Sequence, residues 1–305
     1  MICTLSLTTA LLFFAQNEDV PAPEKDTPPA VEEEVTIDPL EALDKIKAAI
    51  ESENDVVIID AIEVCANVQD KKVITELAKL LKHKSADVRL AALEALRFNE
   101  HDECFSRLLK FGKDKRLKQD PEFLTEYIYA LGQKADKKAE KFITDDLVMT
   151  GAVDKEVLIA KIYALGRIRQ VDSIETLLQF GQSATRGGGR RGGGRTPKLR
   201  IEIQTSLAVL TGVELGDQLL DWTSWWSDNK RKFKMSKTEG GISDGKLQAK
   251  WQSLWMTEAQ KAKAVQDFKD ERAKNAKDGK DTADKDDANK KGDAKKDKDD
   301  GLIDF

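Results

Sequence analysis

Arg186, Arg190, Arg191, Arg195, Lys198 and Arg200 crowd one short stretch of the chain, separated mostly by glycine. Guanidinium groups contact phosphates and stack on bases, while glycine lets the backbone follow an irregular anion. No Phe or Tyr is interleaved, so the run reads either as a polyanion-binding segment or as a solvated insertion. A second group is aromatic. Trp222, Trp225 and Trp226 stand at i, i+3 and i+4 and share one helix face. That face either closes a hydrophobic core or offers a platform to a peptide or sugar. Trp251 and Trp255 repeat the i, i+4 spacing and would fold back on this face or meet a partner. His101 and Cys104 are three apart, but a metal site needs further ligands and His83 is the other histidine in the chain. There is no Gly-x-Ser-x-Gly, no phosphate-cradling loop and no Cys-His pair with an orienting acid. The expectation is therefore no catalytic residue, no metal ligand set and no cofactor.

The elements that must position these groups recur. An apolar pattern closing on Ala-Leu or a near equivalent returns at Val64-Cys65, Ala95-Leu96, Ala130-Leu131, Ala164-Leu165 and Ser206-Leu207. Tyr129-Ala130-Leu131-Gly132 and Tyr163-Ala164-Leu165-Gly166 are near copies. A period of this length predicts stacked helix pairs with a core that runs lengthwise. Asp38-Pro39-Leu40-Glu41 combines an N-cap Asp, Pro at N1 and Glu at N3, so a lone capping helix starts there. Five pairs are predicted after it: Val57 to Cys65 with Val73 to Leu81, Val88 to Leu96 with Cys104 to Phe111, Phe123 to Leu131 with Ala139 to Val148, Val157 to Leu165 with Ile174 to Phe180, and Leu199 to Leu207 with Leu219 to Trp226. No segment alternates with period two, so no sheet is expected.

Asp87-Val88-Arg89-Leu90-Ala91-Ala92-Leu93-Glu94-Ala95-Leu96 resembles the first helix of HEAT repeats, and the resemblance extends in phase from Asp38 to Phe233. It implies an all-α fold, an α-solenoid wound as a right-handed superhelix of about five HEAT-like pairs. In that family the Asp and Arg usually interact between neighbouring repeats. Here the Arg is matched only at Arg89 and Arg200, which argues against a continuous ladder. Asp221 and Trp222 superficially resemble the Asp and Trp of HEAT-like DNA glycosylases, but the acidic balance argues against that chemistry. Two histidines cannot supply the His-Glu pairs of HEAT-repeat di-iron hydroxylases. The Arg-Gly run resembles an RGG box. The Trp-rich helix is similar to the closing helix of some bacterial exported HEAT-repeat proteins. The function implied is a non-enzymatic scaffold that binds another protein along the concave helix layer. The alternatives are polyanion binding through the Arg-Gly run, and a catalytic HEAT relative.

The ends differ in composition from the middle. Residues 1–16 contain a short apolar run of secretory-signal length, too short to span a membrane, without a basic residue ahead of it. It predicts export to the periplasm or beyond; a cytoplasmic location is the other reading. Residues 17–37, with Pro21, Pro23, Pro28, Pro29 and Glu32 to Glu34, read as a linker. The repeat domain is expected over 38–235, with a flexible Arg/Gly loop at 182–197 and a Trp-rich capping helix at 217–233. A helical extension follows at 236–257. Residues 258–305 are a dense mixture of Lys, Asp and Ala, expected to be a disordered tail with transient helix in its first half. Net charge is only -5 because opposite charges nearly cancel. Cys65 and Cys104 fall at apolar helix positions and read as small packing residues rather than a disulfide framework. A monomer is expected, without a membrane span once the signal is removed.

Overall fold

Asp and Asn residues set half of the α-helix starts. The structure, a computed structural model, describes residues 37–145, 154–186, 199–270 and 272, the side chains of 184–186 excepted. The N-terminal apolar run expected to be a signal, most of the expected linker, residues 146–153, the glycine run 187–198, residue 271 and the residues beyond 272 lie outside the described residues. Asp38 accepts a hydrogen bond from the Leu40 amide at 2.8 Å and opens α1, Pro39–Glu51. Asn54, Asp70, Asp120 and Asp154 cap α2 (Asp55–Cys65), α3 (Lys71–Leu80), α6 (Pro121–Lys134) and α8 (Lys155–Arg167) in the same way. Each cap satisfies amides that the first helical turn leaves unpaired. The remaining helices are α4 (Ala86–Phe98), α5 (Asp102–Phe111), α7 (Glu140–Thr144), α9 (Val171–Arg186), α10 (Arg200–Thr211), α11 (Leu219–Asn229) and α12 (Gly245–Ser253). Among the described residues there is no strand.

The helices form two layers. Layer A runs α2, α4, α6, α8, α10, each packed on the next. Layer B contains α3, α5, α7, α9 and α11, so the five predicted pairs are present in the predicted order. The first helix α1 packs on both α2 and α3, as α3 packs on α4 and α5. Between the layers runs one continuous apolar core, from Ile46 and Ile62 through Leu96, Leu131 and Leu165 to Leu207. A core shared between neighbours is what lets two-helix units this small remain folded.

Three elements depart from their predicted bounds. The second helix of the third pair is short: a 3-10 turn at Lys137–Ala139 leads into the five-residue α7. The helix α9 continues through Arg186, so residues 182–186, assigned to the Arg/Gly loop, are helical. They include no glycine, and the glycine penalty on helix begins only at 187. The charged tail expected from 258 begins as a helix over 258–270, exposed along nearly all its length. Thr257 and Gln260 cap it reciprocally, the Gln260 amide on the Thr257 hydroxyl at 3.2 Å and the Thr257 amide on Gln260 Oε1 at 2.9 Å.

Candidate functional site

The two Tyr-Ala-Leu-Gly copies build a pair of aromatic sockets on layer A. Gly132 lies in the last turn of α6 beside Trp255, and Gly166 in the last turn of α8 beside Trp251. A Cβ at 132 would stand 3.0 Å from Trp255 Cη2, and one at 166 would stand 2.9 Å from Trp251 Cη2. Tyr129 meets the Trp255 ring edge-on at 6.0 Å between centroids, and Tyr163 meets Trp251 at 5.9 Å. The two indoles pack on each other at 5.4 Å. Both are buried. The pair folds back onto α6 and α8 rather than onto the Trp222 face that its spacing suggested. Burial pushes the Tyr129 and Tyr163 phenols well above their ordinary range.

Charged groups close the groove at both ends. In α4 the register of Gly132 and Gly166 is taken by Arg97. Arg97 donates to the carbonyl of Leu254, the C-cap of α12, and pairs with Glu126 at 3.3 Å. A cation here satisfies an orphan carbonyl and faces the negative end of the α12 dipole. Its guanidinium also lies over Tyr129, and burial holds it below the usual arginine range, opposed by Glu126 and Glu94. At the other end Arg167 lies over Trp255 and pairs with Glu239 at 2.5 Å, while Trp251 Nε1 donates to the same carboxylate at 2.9 Å. The returning chain is held by backbone: the Gly240 amide donates to Val209 O at 2.8 Å, and a Cβ at 240 would fall 2.5 Å from Ala208 O. Only glycine permits that approach. Arg169 donates to Ser236 O at 2.8 Å and to Val209 O at 3.2 Å.

The other tryptophans close the stack. Trp222 and Trp226 are buried, with Trp222 Nε1 on Gly216 O at 2.8 Å and Trp226 Nε1 on Glu175 of α9 at 3.4 Å. Trp225 and Trp226 both meet Phe233 edge-on. Trp222 and Trp226 are thus turned into the molecule, while Trp225 is half-buried. Asp221 is exposed while Trp222 is buried, so the two side chains do not face one common groove. Of the six basic residues, Arg190, Arg191, Arg195 and Lys198 lie outside the described residues, and Arg186 is the last residue of α9. Arg200 begins α10 and stands 3.9 Å from Asp217.

His101 and Cys104 serve structure. His101 caps α5 by accepting from the Glu103 amide at 3.0 Å, and Cys104 donates to Asn99 Oδ1 at 3.4 Å. Among the described residues no group of three or more His, Cys, Asp or Glu side chains could hold a metal. Burial raises the Cys104 thiol to about 11. The residue that organises this corner is Asn99, buried between repeats, whose amide donates to Ala66 O at 2.8 Å and Val68 O at 3.0 Å. Sequence reasoning missed Asn99 and Arg97, since neither stands in a recognisable motif. For Arg97 a signal existed: the third residue after Glu94 aligns with the glycine of both Tyr-Ala-Leu-Gly copies.

Layer B carries polar rungs between repeats. Lys71 of α3 faces Glu103 of α5 at 3.6 Å, and Arg107 of α5 donates to Thr75 Oγ1 at 2.9 Å and pairs with Glu103 at 2.8 Å. Lys82 reaches Asp114 at 3.4 Å. On layer A, Arg89 pairs with Asp120, the cap of the next layer-A helix, at 3.1 Å. That is an Arg-Asp rung between neighbouring repeats, though its acid is the helix cap rather than the position of Asp87. Residues 43–118 match the family model for HEAT repeats. No curated protein matches the chain.

Proposed function

We propose that this chain, a HEAT-repeat protein, is a non-enzymatic scaffold that holds helical segments of other proteins on its stacked repeats. One observation carries this reading: the stack already grips a helix. The groove of α6 and α8 seats the α12 segment through Trp251 of the helix and Trp255 just past its C-cap Leu254, with arginines at the ends. In helix-in-groove recognition, apolar anchors on a bound segment give register and end charges give direction; here Trp251 is the helix anchor and Trp255 the anchor of the turn that follows.

The chain's own segment occupies that groove, so the reading places an external partner on layer B. Exposed Lys71, Lys79, Lys82 and Lys110 and half-buried Glu76, Glu103 and Arg107 form a mixed polar surface along α3 and α5. Such a surface binds through many modest contacts rather than one pocket. The test is site-specific photocrosslinking in the native cell with the full chain. A crosslinker at position 79 or 110 is expected to give discrete protein adducts, and one at the buried position 165 none. Absence of adducts from every layer B position would overturn the reading.

A further inference from the structure

The first layer-A helix exposes a seam that every later one buries. In α2, Val57 and Val64 are 42% and 44% exposed. The residues in the same registers, Val88 and Ala95 of α4, Phe123 and Ala130 of α6, and Val157 and Ala164 of α8, are all buried. Each of these helices packs on the layer-A helix before it. The helix α1 occupies a layer-B position, on α2 and α3, so among the described residues no helix fills the layer-A place ahead of α2. Val57, Asp60 and Val64 stand at i, i+3 and i+7, the spacing of a helix-packing stripe. The seam is acidic: α2 carries Asp55, Asp60 and Glu63 and no cation, and Glu53 precedes it.

A second unpaired stripe lies at the other end of the chain. On the 258–270 helix Val265 and Phe268 are 55% and 60% exposed. Lys261, Val265, Phe268 and Arg272 stand at i, i+4, i+7 and i+11, so the apolar pair is flanked by cations on one face. The Arg272 guanidinium lies over the Phe268 ring at 5.8 Å. This helix leaves the body at Gln260, beside Arg167 of α8 and Trp255, not beside α2.

We infer that the 258–270 helix of a second copy of this chain packs on the exposed α2 seam as the missing layer-A helix. Valine and phenylalanine meet the two valines, and lysine and arginine meet the acids. Two α2 seams facing each other would instead set Asp60 and Glu63 against their own likes. The contact is head-to-tail, joining two different surfaces of two molecules.

Light scattering on the full chain across a concentration series tests this. The wild type is expected to rise above the single-chain mass by about 100 µM, a concentration suited to a modest interface. V57K/V64K alone and V265K/F268K alone each remain at single-chain mass, with unchanged circular-dichroism melts because all four positions are exposed. An equimolar mixture of the two variants associates again, since each supplies the surface that the other lacks. A wild type that stays a single chain throughout overturns the inference. So does V265K/F268K associating as the wild type does, which would indicate another occupant, or a mixture that fails to pair.

Discussion

The first two repeats and the third and fourth are joined by different physics. Between α2–α3 and α4–α5 the joints are polar: Asn99 on the Ala66 and Val68 carbonyls, Lys71 on Glu103, Arg107 on Thr75. Between α6 and α8 the helices approach over Gly132, whose added Cβ would stand 3.0 Å from the Ala164 backbone, and the gap is sealed by indoles from the far end of the chain. The matched family segment, 43–118, coincides with the polar joints. One helix-pair repeat thus tolerates two kinds of adhesive, because its lengthwise core is common to both and only the outer contacts differ.

The largest break in this comparison should come from W251A/W255A. Truncating a buried tryptophan costs about 3–5 kcal/mol, so the melting temperature should drop and protease cuts should appear between 230 and 257. Hydrogen exchange in α2–α5 should stay slow; exchange accelerating equally in both regions would mean that the two joints are not separable. Next is Asn99→Ala, which strips donors from two buried carbonyls and costs about 1–3 kcal/mol in denaturant titration. Its exchange signature should fall in α2 to α5 and spare the sockets. Gly166→Ala crowds Ser206 Oγ at 2.8 Å and Trp251, with a cost at the lower end of about 1–3 kcal/mol and a shift in tryptophan fluorescence. Arg89→Ala removes a half-exposed rung worth about 0.5–1 kcal/mol, and the difference from wild type should shrink in high salt.

A pH titration sharpens the polar side. The Cys104 thiol is raised to about 11 when folded and falls near 9 when the chain unfolds. Folding therefore favours the protonated thiol. The stability it contributes is complete below about pH 9 and is lost as pH rises through about 11. In a C3A/C65A variant, thiolate absorbance should titrate near 11 in the folded protein and near 9 in denaturant. Titration near 9 in both states would remove Cys104 from the buried corner.

Much of the architecture was legible in residue order. The period of Ala-Leu closures located every layer-A helix, and the Asp38 cap located α1, because amphipathic spacing and unpaired first-turn amides are local signals. The site was legible only in halves. The Trp251-Trp255 spacing and the Tyr-Ala-Leu-Gly copies each stood out, but nothing local says that they meet. The Trp222 cluster read as a cap or as a platform; in the structure Trp222 and Trp226 pack against Gly216, Glu175 and Phe233, contacts that no local spacing announces.

The sequence by itself determined helix periodicity, caps and register, since these depend on neighbours within a few turns. Only the tertiary structure decided that Arg97, Gly132 and Gly166 share one groove with α12. Only it showed that α2 keeps its seam exposed while α4, α6 and α8 do not. Identical registers acquire opposite roles according to whether another helix packs over them, and packing between distant segments is set by the whole stack rather than by any residue's own preference.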